Sequence, residues 1–288
     1  MIPFIKSFDP DFYRTVYSDI KNFTDKEAIK HFIKYGITEG RICSKLCYRK
    51  EFIKSLSFEK KKSVLEIGPF NNPIFTGDNV KYFDVLNSVN LKDRSKNLGL
   101  DTTRIPDVIH FVDPYGDLSK VNEKFDLVIS SHVIEHQPDL ISFLINIKKL
   151  LNIGGIAAFI VPDKRYCFDH YNSTSNIFEI LSSHISKDKK HLLYKFFLHR
   201  LNTVHNDPVR HWQKDHGKLK LNKEQFLEAI NEWNENKSNY IDVHSWFFTP
   251  LSLLQIFQSL KDFDYLNYNT INIFNTPQNQ LEFCFYFS

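Results

Sequence analysis

The stretch from Ser63 to Asp84 constrains the fold of this chain more than any other part of it. It begins with the mainly apolar run SVLEI, and Gly68 follows at once. A short apolar run that ends in turn residues is typical of a buried strand in a parallel sheet. A second short strand, over residues 80–83, ends at Asp84. The pattern therefore predicts the first two strands of an α/β sheet.

The turn after the first strand and the end of the second predict a nucleotide-type cofactor site. In open α/β sheets, glycine lets the backbone approach the ligand, and an acidic residue about 20 positions further on accepts the ribose hydroxyls. Gly68 and Asp84 can fill these roles, with Pro69 in the same turn. Glu66 is placed in this site too; once buried, it needs a cationic ligand or backbone amides as partners. Residues 71–73 (NNP) replace further glycines, which argues against a NAD-dependent oxidoreductase.

A longer motif follows in residues 125–166, FDLVISSHVIEHQPDLISFLINIKKLLNIGGIAAFIVPDKRY. It contains, in order, a strand ending in a polar pair, a turn of the type HVxEHxxD, an amphipathic helix, a GG turn and a strand ending in proline. Together with VLEIG and YFD upstream, it resembles the motifs of class I S-adenosylmethionine (SAM)-dependent methyltransferases, over about residues 61–166 and again near the C-terminus. The resemblance implies an α/β fold with a mostly parallel Rossmann-like sheet, a terminal antiparallel strand, and SAM as cofactor.

Further cofactor-binding residues are expected at the ends of the next strands. The alternating run DVIHFVD predicts a third strand that ends at Asp113. Here the resemblance implies a carboxylate beside the adenine, with Asp117 as the alternative. The fourth strand, residues 125–130, lies at the switch point of the sheet, where ligands bind. Ser131 and His132 follow its end, so both are predicted to bind the cofactor.

The predicted domain organisation has three parts: a helical N-terminal module over residues 1–42, a connecting segment over 43–60, and a methyltransferase domain over 61–288. In the module, Thr24 and Glu27 have capping-box spacing at a helix start. Residues 170–245 are too long for an ordinary crossover and predict an inserted, mainly helical lid. Within the lid, KDKKHLLYKFFLHR predicts an amphipathic helix over 187–200 with its leucines and phenylalanines inward.

The amino-acid sequence of the N-terminal module shows a second resemblance. Its segments FDPDFYRTVYSDI and HFIKYGITEGR resemble a short helical module found beside glycosyltransferases and other enzymes of bacterial surface-polysaccharide assembly. This association implies a sugar or glycan acceptor, and a polysaccharide-assembly protein as partner of the N-terminal helices. A helical cap on the catalytic domain is the alternative interpretation.

Candidate catalytic residues follow from the chemistry of a hydroxyl acceptor. SAM carries an activated methyl group, but an alcohol also needs a base, and histidine suits this role because its pKa lies near neutrality. The segment VHNDPVRHWQKDHG, residues 204–217, interleaves histidines with charged residues. His211 is the first candidate for the base, and His205, His136 and Asp207 are the other catalytic candidates. For His136, in the motif turn, a structural role in the cofactor pocket is the alternative.

Acceptor-binding residues are predicted at a strand end, in the histidine-rich segment and before the last helix. They are Arg165, Tyr166, Arg210, Trp212, His216 and His244. The histidines and aspartates of residues 204–217 are also suitable ligands for a divalent metal ion. Because their spacing matches no recognised ligand pattern, the sequence predicts no metal site.

Composition narrows the class of protein. The formal net charge of +3 does not by itself favour nucleic acid as a partner. No run is long enough for a membrane-spanning helix, and the start, MIPFIKSFDPDF, lacks the pattern of a secretory signal. The four cysteines form no CxxC pair. We therefore expect a cytoplasmic protein without a transmembrane segment.

These observations predict a SAM-dependent methyltransferase that acts on a hydroxyl of a sugar or surface polysaccharide. Two alternatives stay open. The acceptor could be a small metabolite or a nitrogen group. The chain could also be a catalytically silent methyltransferase-like subunit of a polysaccharide-assembly complex.

Overall fold

The structure, a computed structural model, describes residues 8–56, 62–237 and 240–288. The strands in these residues form one sheet: β1 (Val64–Ile67), β2 (Val80–Asp84), β3 (Phe111–Val112), β4 (Phe125–Ser131), β5 (Leu151–Pro162), β6 (Ile271–Phe274) and β7 (Glu282–Phe287). Their order across the sheet is β3-β2-β1-β4-β5-β7-β6. Strands β1 to β5 run parallel, and β7 is antiparallel to both β5 and β6. The predicted fold class, a mostly parallel sheet with a terminal antiparallel strand, is confirmed.

Two strands differ in length from their sequence patterns. The third strand is only Phe111–Val112, because these two residues alone pair with β2. It lies at the edge of the sheet, where one side of a strand has no partner in the sheet order. The fifth strand begins at Leu151, before the GG turn, because Leu151 pairs with Phe125 at the start of β4.

The α-helices of the described residues are α1 (Pro10–Val16), α2 (Asp25–His31), α3 (Arg49–Leu56), α4 (Ser88–Asn97), α5 (Leu140–Lys149), α6 (Ile177–Ser186), α7 (Leu193–Leu201), α8 (Pro208–Trp212), α9 (Lys223–Asn236) and α10 (Pro250–Asp262). The predicted capping box of Thr24 and Glu27 begins α2. None of these helices is both long and apolar enough to cross a membrane.

The predicted helix over 187–200 begins later than expected, at Leu193. The reason is local: Lys187 has a left-handed backbone (φ 55°) that ends α6, and the chain needs several residues of turn before it can become helical again. Leu193 is consequently 42% exposed, whereas Phe196 is fully buried. Phe196 packs with Ala229 of α9 and Val243 in a small core separate from that of the sheet.

The N-terminal helices pack on the antiparallel end of the sheet. Phe52 of α3 meets Phe274 of β6 edge to face, with ring centroids 5.8 Å apart. The side-chain amide of Asn275 donates to the carbonyl of Arg41 at 3.0 Å. Buried side chains of the module, such as Phe32, belong to the same apolar core as the strands. This packing brings Arg49 of α3 to the carboxyl end of the sheet.

Candidate active site

A cavity of about 360 Å³ lies where β1, β2 and β4 end. Its polar and glycine wall includes Gly68, Asp84, Arg94, His132, His136 and Asp242. Apolar side chains, among them Phe83, Leu91 and Phe143, form the rest of the wall. The cavity therefore occupies the edge of the sheet where α/β proteins bind ligands.

Gly68 lines the cavity in a conformation that favours glycine. Its φ is +69°, and an added Cβ would lie 2.7 Å from Cγ2 of Val133. The neighbouring Pro69 is buried in the same turn. Glu66, 2% exposed, accepts hydrogen bonds from the amides of Ile74 (2.7 Å) and Phe75 (3.0 Å) and so holds the loop after β1. Backbone amides thus meet its predicted need for partners, although burial still raises the pKa of Glu66 to about 7.

Asp84 ends β2 with its carboxylate in the cavity wall. The residue is 7% exposed, and Oδ1 accepts a hydrogen bond from the amide of Leu86 at 3.0 Å. Burial raises the pKa of Asp84 to about 6, opposed by the amides of Leu86 and Val85. A carboxylate in this position can accept hydrogen bonds from hydroxyl groups of a ligand.

Asp113 uses its side chain inside its own turn. The carboxylate accepts from the amides of Tyr115 and Asp117, both at 3.0 Å, and pairs with Lys120. Burial opposes ionisation, but Lys120 and the amides outweigh it and lower the pKa of Asp113. Asp117 likewise accepts from the amide of Ser119 at 3.0 Å. Both carboxylates line a neighbouring cavity of about 810 Å³, which shares Gly116 with the cavity of Asp84.

Ser131 and His132 belong to a chain of contacts that the sequence pattern does not reveal. Arg49 of α3 donates to Ser131 Oγ at 3.0 Å and pairs with Glu282 at 3.0 Å. Glu282, at the start of β7, contacts Nε2 of His132 at 2.7 Å. Of these, only His132 lines the cavity, so Ser131 contributes by fixing this edge.

The end of the predicted lid forms one side of the cavity through Tyr240 and Asp242. Asp242 pairs with Arg94 of α4 at 2.5 Å and lies 2.8 Å from Nδ1 of His136. Burial opposes ionisation of Asp242, but His136 and Arg94 outweigh it and hold its pKa well below the usual range. Burial alone would lower the pKa of His136, yet Asp242 and Glu135 raise it. Sequence reasoning missed Arg94, Tyr240 and Asp242; the only local signal was that Asp242 lies two residues before His244.

The histidine-rich segment forms a group of its own. His211 is 1% exposed, and its Nε2 donates to the carbonyl of His205 at 3.0 Å. Its Nδ1 meets Nδ1 of His216 at 3.0 Å. Asp207 caps α8, and Arg210 pairs with Asp215. The first candidate for the base therefore has both ring nitrogens engaged within its own segment, and none of these residues lines the cavity of Asp84.

Three predicted acceptor-binding residues meet at a different cavity, of about 220 Å³: Arg165, Tyr166 and Trp212. Tyr166 stacks on Trp212 with ring centroids 4.0 Å apart, and Arg165 makes a two-pronged pair with Asp163. Ile37, Thr38 and Gly40 of the N-terminal module line the other side. The predicted acceptor residues are thus divided between this cavity and other parts of the chain.

His244, also predicted to bind the acceptor, is buried beneath the cavity wall. It is 6% exposed, and its Nδ1 lies 2.6 Å from Oδ2 of Asp169, which is 1% exposed. Its ring meets that of His136 edge to face at 4.5 Å. His136 therefore connects the cavity with a buried group of histidines and carboxylates.

Comparisons with known proteins identify the family. The sequence matches the methyltransferase-domain family over residues 41–260, which is most of the chain. Among solved structures, the DhpI–SAH complex covers 100% of this chain and 98% of its own, at 12% identity and a TM-score of 0.40. The glycopeptide N-methyltransferase MtfA covers 40% of this chain at 19% identity and a TM-score of 0.30, and this chain spans 52% of MtfA. No curated protein matches the sequence. Because these identities and TM-scores are low, the family assignment depends on the sequence match.

The cavity fits SAM in three respects. Gly68 leaves the backbone open to close approach, Asp84 presents a carboxylate for ribose hydroxyls, and Phe83, Leu91 and Phe143 offer apolar surface for an aromatic base. The match to the methyltransferase-domain family over residues 41–260 confirms the prediction of a methyltransferase, and the cavity is compatible with the predicted cofactor SAM. The chain therefore belongs to the methyltransferase-domain family.

Proposed function

We propose that this protein is an O-methyltransferase that transfers the methyl group of SAM to a hydroxyl of a sugar or surface polysaccharide. The observation that supports it is the cavity with Asp84 on one side and His136 on another. Asp84 would bind the ribose and Gly68 would let the backbone approach the cofactor. We propose that Glu66 and Pro69 hold the loop after β1 in place and that His132 contacts the cofactor from the cavity wall.

The reaction needs alignment and removal of one proton. SAM supplies a methyl group made electrophilic by its sulfonium. As the acceptor oxygen bonds to the methyl carbon, the carbon–sulfur bond breaks, its electron pair stays on sulfur, and the hydroxyl proton must leave. Of the histidines predicted as bases, only His136 lines the cavity, so we place the acceptor hydroxyl beside it. His211 and His205 have no such position.

The sugar class is supported by the N-terminal module and by the second cavity. The segments of the module that resemble polysaccharide-assembly proteins include Ile37, Thr38 and Gly40, which line the cavity of Tyr166 and Trp212. We propose that residues 1–42 form this module, with 43–60 as the connection and 61–288 as the catalytic domain. The module would also be the contact site for a polysaccharide-assembly protein.

The test is a labelled-transfer assay. Purified protein is incubated with methyl-labelled SAM and a panel of sugar nucleotides, oligosaccharides, small alcohols, amines and peptides. We expect label on the sugar acceptors and a methyl ether in their mass spectra. Label confined to amines or peptides would contradict the hydroxyl class. If calorimetry detected no SAM binding by the folded chain, the result would favour the alternative that the chain is a catalytically silent methyltransferase-like subunit.

The raised pKa of Asp84 predicts pH-dependent cofactor binding. SAM binding to the ionised carboxylate should be constant above pH 7 and weaken as pH falls through about 6, because protonation removes acceptor capacity. If SAM binding requires the loss of one proton from Asp84, the dissociation constant should rise about tenfold for each pH unit below that range. Arg94 and Asp242 are the charged groups that act on Asp84, and His132 and His136 are the other titratable groups of the cavity wall. Calorimetric titrations between pH 5 and pH 8 measure the profile.

The variant Asp84→Asn distinguishes the titration of Asp84 from that of Glu66, whose pKa of about 7 lies in the same pH range. The variant should bind more weakly at neutral pH and show a much flatter profile. A profile identical to that of the unmodified protein would assign the titration to another group.

A further inference from the structure

Glu135 is a buried carboxylate that accepts no hydrogen bond from residues 8–56, 62–237 or 240–288. Its exposed fraction is 0%, and both Oε1 and Oε2 are shielded from solvent. Burial of an unpaired carboxylate is strongly unfavourable, and buried charges are usually paired or coordinate metals. The side chain therefore requires a cationic partner within reach.

Three histidine nitrogens lie around Oε1 of Glu135 at similar distances, and one of them, Nδ1 of His132, is 3.8 Å away. Nε2 of His136 and Nε2 of His244 are each 3.9 Å from Oε1 of Glu135. These separations are too long for hydrogen bonds. They do suit ligands of one ion, since Zn–N and Zn–O bonds of about 2.1 Å allow two ligand atoms to lie up to about 4.2 Å apart. The ligand atoms of Glu135, His136 and His244 lie within 4.8 Å of one another.

In His136 and in His244, a second carboxylate lies next to the Nδ1 atom of the ring. Nδ1 of His244 lies 2.6 Å from Oδ2 of Asp169. Nδ1 of His136 lies 2.8 Å from Oδ1 of Asp242, in a contact too bent to count as a hydrogen bond. Carboxylates in this position favour the proton on Nδ1, which leaves the lone pair of Nε2 free, and they orient metal-bound histidines in many proteins. Both Nε2 atoms are thus prepared as ligands on the side of Glu135.

The histidine-rich segment offers an instructive contrast. His170, His211 and His216 also bring ligand atoms within 4.8 Å of one another. Four of their six ring nitrogens are engaged, however: Nε2 of His211 donates to the carbonyl of His205, its Nδ1 meets Nδ1 of His216, and Nδ1 of His170 bonds the carbonyl of Arg165. No buried unpaired carboxylate belongs to this trio. Of these two groups, only the Glu135 group contains a buried carboxylate without a hydrogen-bonding partner among the described residues.

We propose that Glu135, His136 and His244 bind one divalent transition-metal ion, with Asp169 and Asp242 as the carboxylates that orient the histidines. Imidazole with a carboxylate suits ions such as Zn²⁺ or Mn²⁺ better than Mg²⁺ or Ca²⁺. Three protein ligands leave a coordination position for an oxygen. The proposal is one of metal binding and does not depend on the proposed function. A bound ion makes Nε2 of His136 a ligand, so under the proposed function the proton of the acceptor hydroxyl would pass to His132, the other histidine of that cavity wall.

The experiment measures metal binding in the absence of SAM and acceptor. Full-length protein without an affinity tag is treated with EDTA, transferred to metal-free buffer, and titrated calorimetrically with Zn²⁺ and with Co²⁺ as a spectroscopic probe. We expect one ion per chain at micromolar affinity or tighter, visible d–d absorption for Co²⁺, and a higher melting temperature with metal. Absence of a stoichiometric ion would overturn the inference.

Variants assign the site. Glu135→Gln conserves shape and should lose most of the affinity, while Asp169→Asn should weaken binding about 10- to 100-fold. The matched control is His216→Gln in the other histidine trio, which should leave metal affinity unchanged. SAM titrations report the proposed function separately and verify that each variant is folded. Metal binding that is unchanged in Glu135→Gln, or lost in His216→Gln, would overturn the assignment.

Discussion

Replacing Asp84 with alanine is expected to weaken SAM binding about 100-fold. The carboxylate ends β2 inside the cavity wall and, when ionised, can accept hydrogen bonds from both ribose hydroxyls. Hydrogen bonds to charged groups contribute about 1.5–3 kcal/mol each, and about 1.4 kcal/mol corresponds to a tenfold change in affinity. Because alanine supplies no acceptor, most of this contribution should be lost. Calorimetry with SAM and with S-adenosylhomocysteine at pH 7.5 measures it.

A matched control distinguishes this contact from a general effect of charge. Asp107 is an exposed carboxylate that pairs with Lys92 outside the cavity. Asp107→Ala removes the same charge from the chain and should leave SAM affinity unchanged. Asp84→Ala should also keep its folding transition, since removal of a buried carboxylate with a raised pKa relieves a desolvation cost. Equal affinities for Asp84→Ala and the unmodified chain would remove Asp84 from the cofactor site.

The fold could be predicted because its signals are local. The apolar run of β1, the glycine that ends it, and the strand–turn–helix pattern of residues 125–166 each determine an element from neighbouring residues alone. The exceptions were the lengths of β3 and β5 and the start of α7, where the left-handed Lys187 interrupts an otherwise helical pattern. Apolar periodicity carries no information on the backbone angle of one surface lysine.

The site was only partly predictable because its partners are distant in sequence. Gly68 and Asp84 belong to contiguous motifs and do line one cavity. In contrast, Glu282 meets His132 across 150 positions and Arg49 across 233. The spacing of residues along the sequence does not predict either contact. Glu135 was visible in the motif, but only the fold shows that it is buried without a hydrogen-bonding partner among the described residues.

The expectation for His211 shows the limit of composition as evidence. Histidines interleaved with aspartates predict acid–base chemistry only if their nitrogens are free to face a ligand. In the structure those nitrogens bind backbone carbonyls and one another. Whether a polar segment satisfies itself or presents its groups to a cavity depends on backbone geometry, which residue types do not specify.

Gly68→Ala is expected to lower the free energy of unfolding by about 2–5 kcal/mol and to weaken SAM binding. Two costs add: a left-handed residue with a Cβ is disfavoured by about 1–2 kcal/mol, and overpacking costs about 1–3 kcal/mol. Both apply, because φ is +69° and the new Cβ would lie 2.7 Å from Cγ2 of Val133. Urea unfolding at constant pH measures the first effect and calorimetry the second.

Two further variants separate the costs. Gly154 has φ +77° and no heavy atom within 4 Å of an added Cβ, so Gly154→Ala should show the backbone cost alone, about 1–2 kcal/mol. Val133→Ala removes the methyl group that Gly68→Ala would strike. The double variant Gly68→Ala/Val133→Ala should therefore be less destabilised than the sum of the two single changes. Strict additivity would show that the contact with Val133 is relieved by a small shift, and that only the left-handed turn requires glycine at the entrance to the cofactor site.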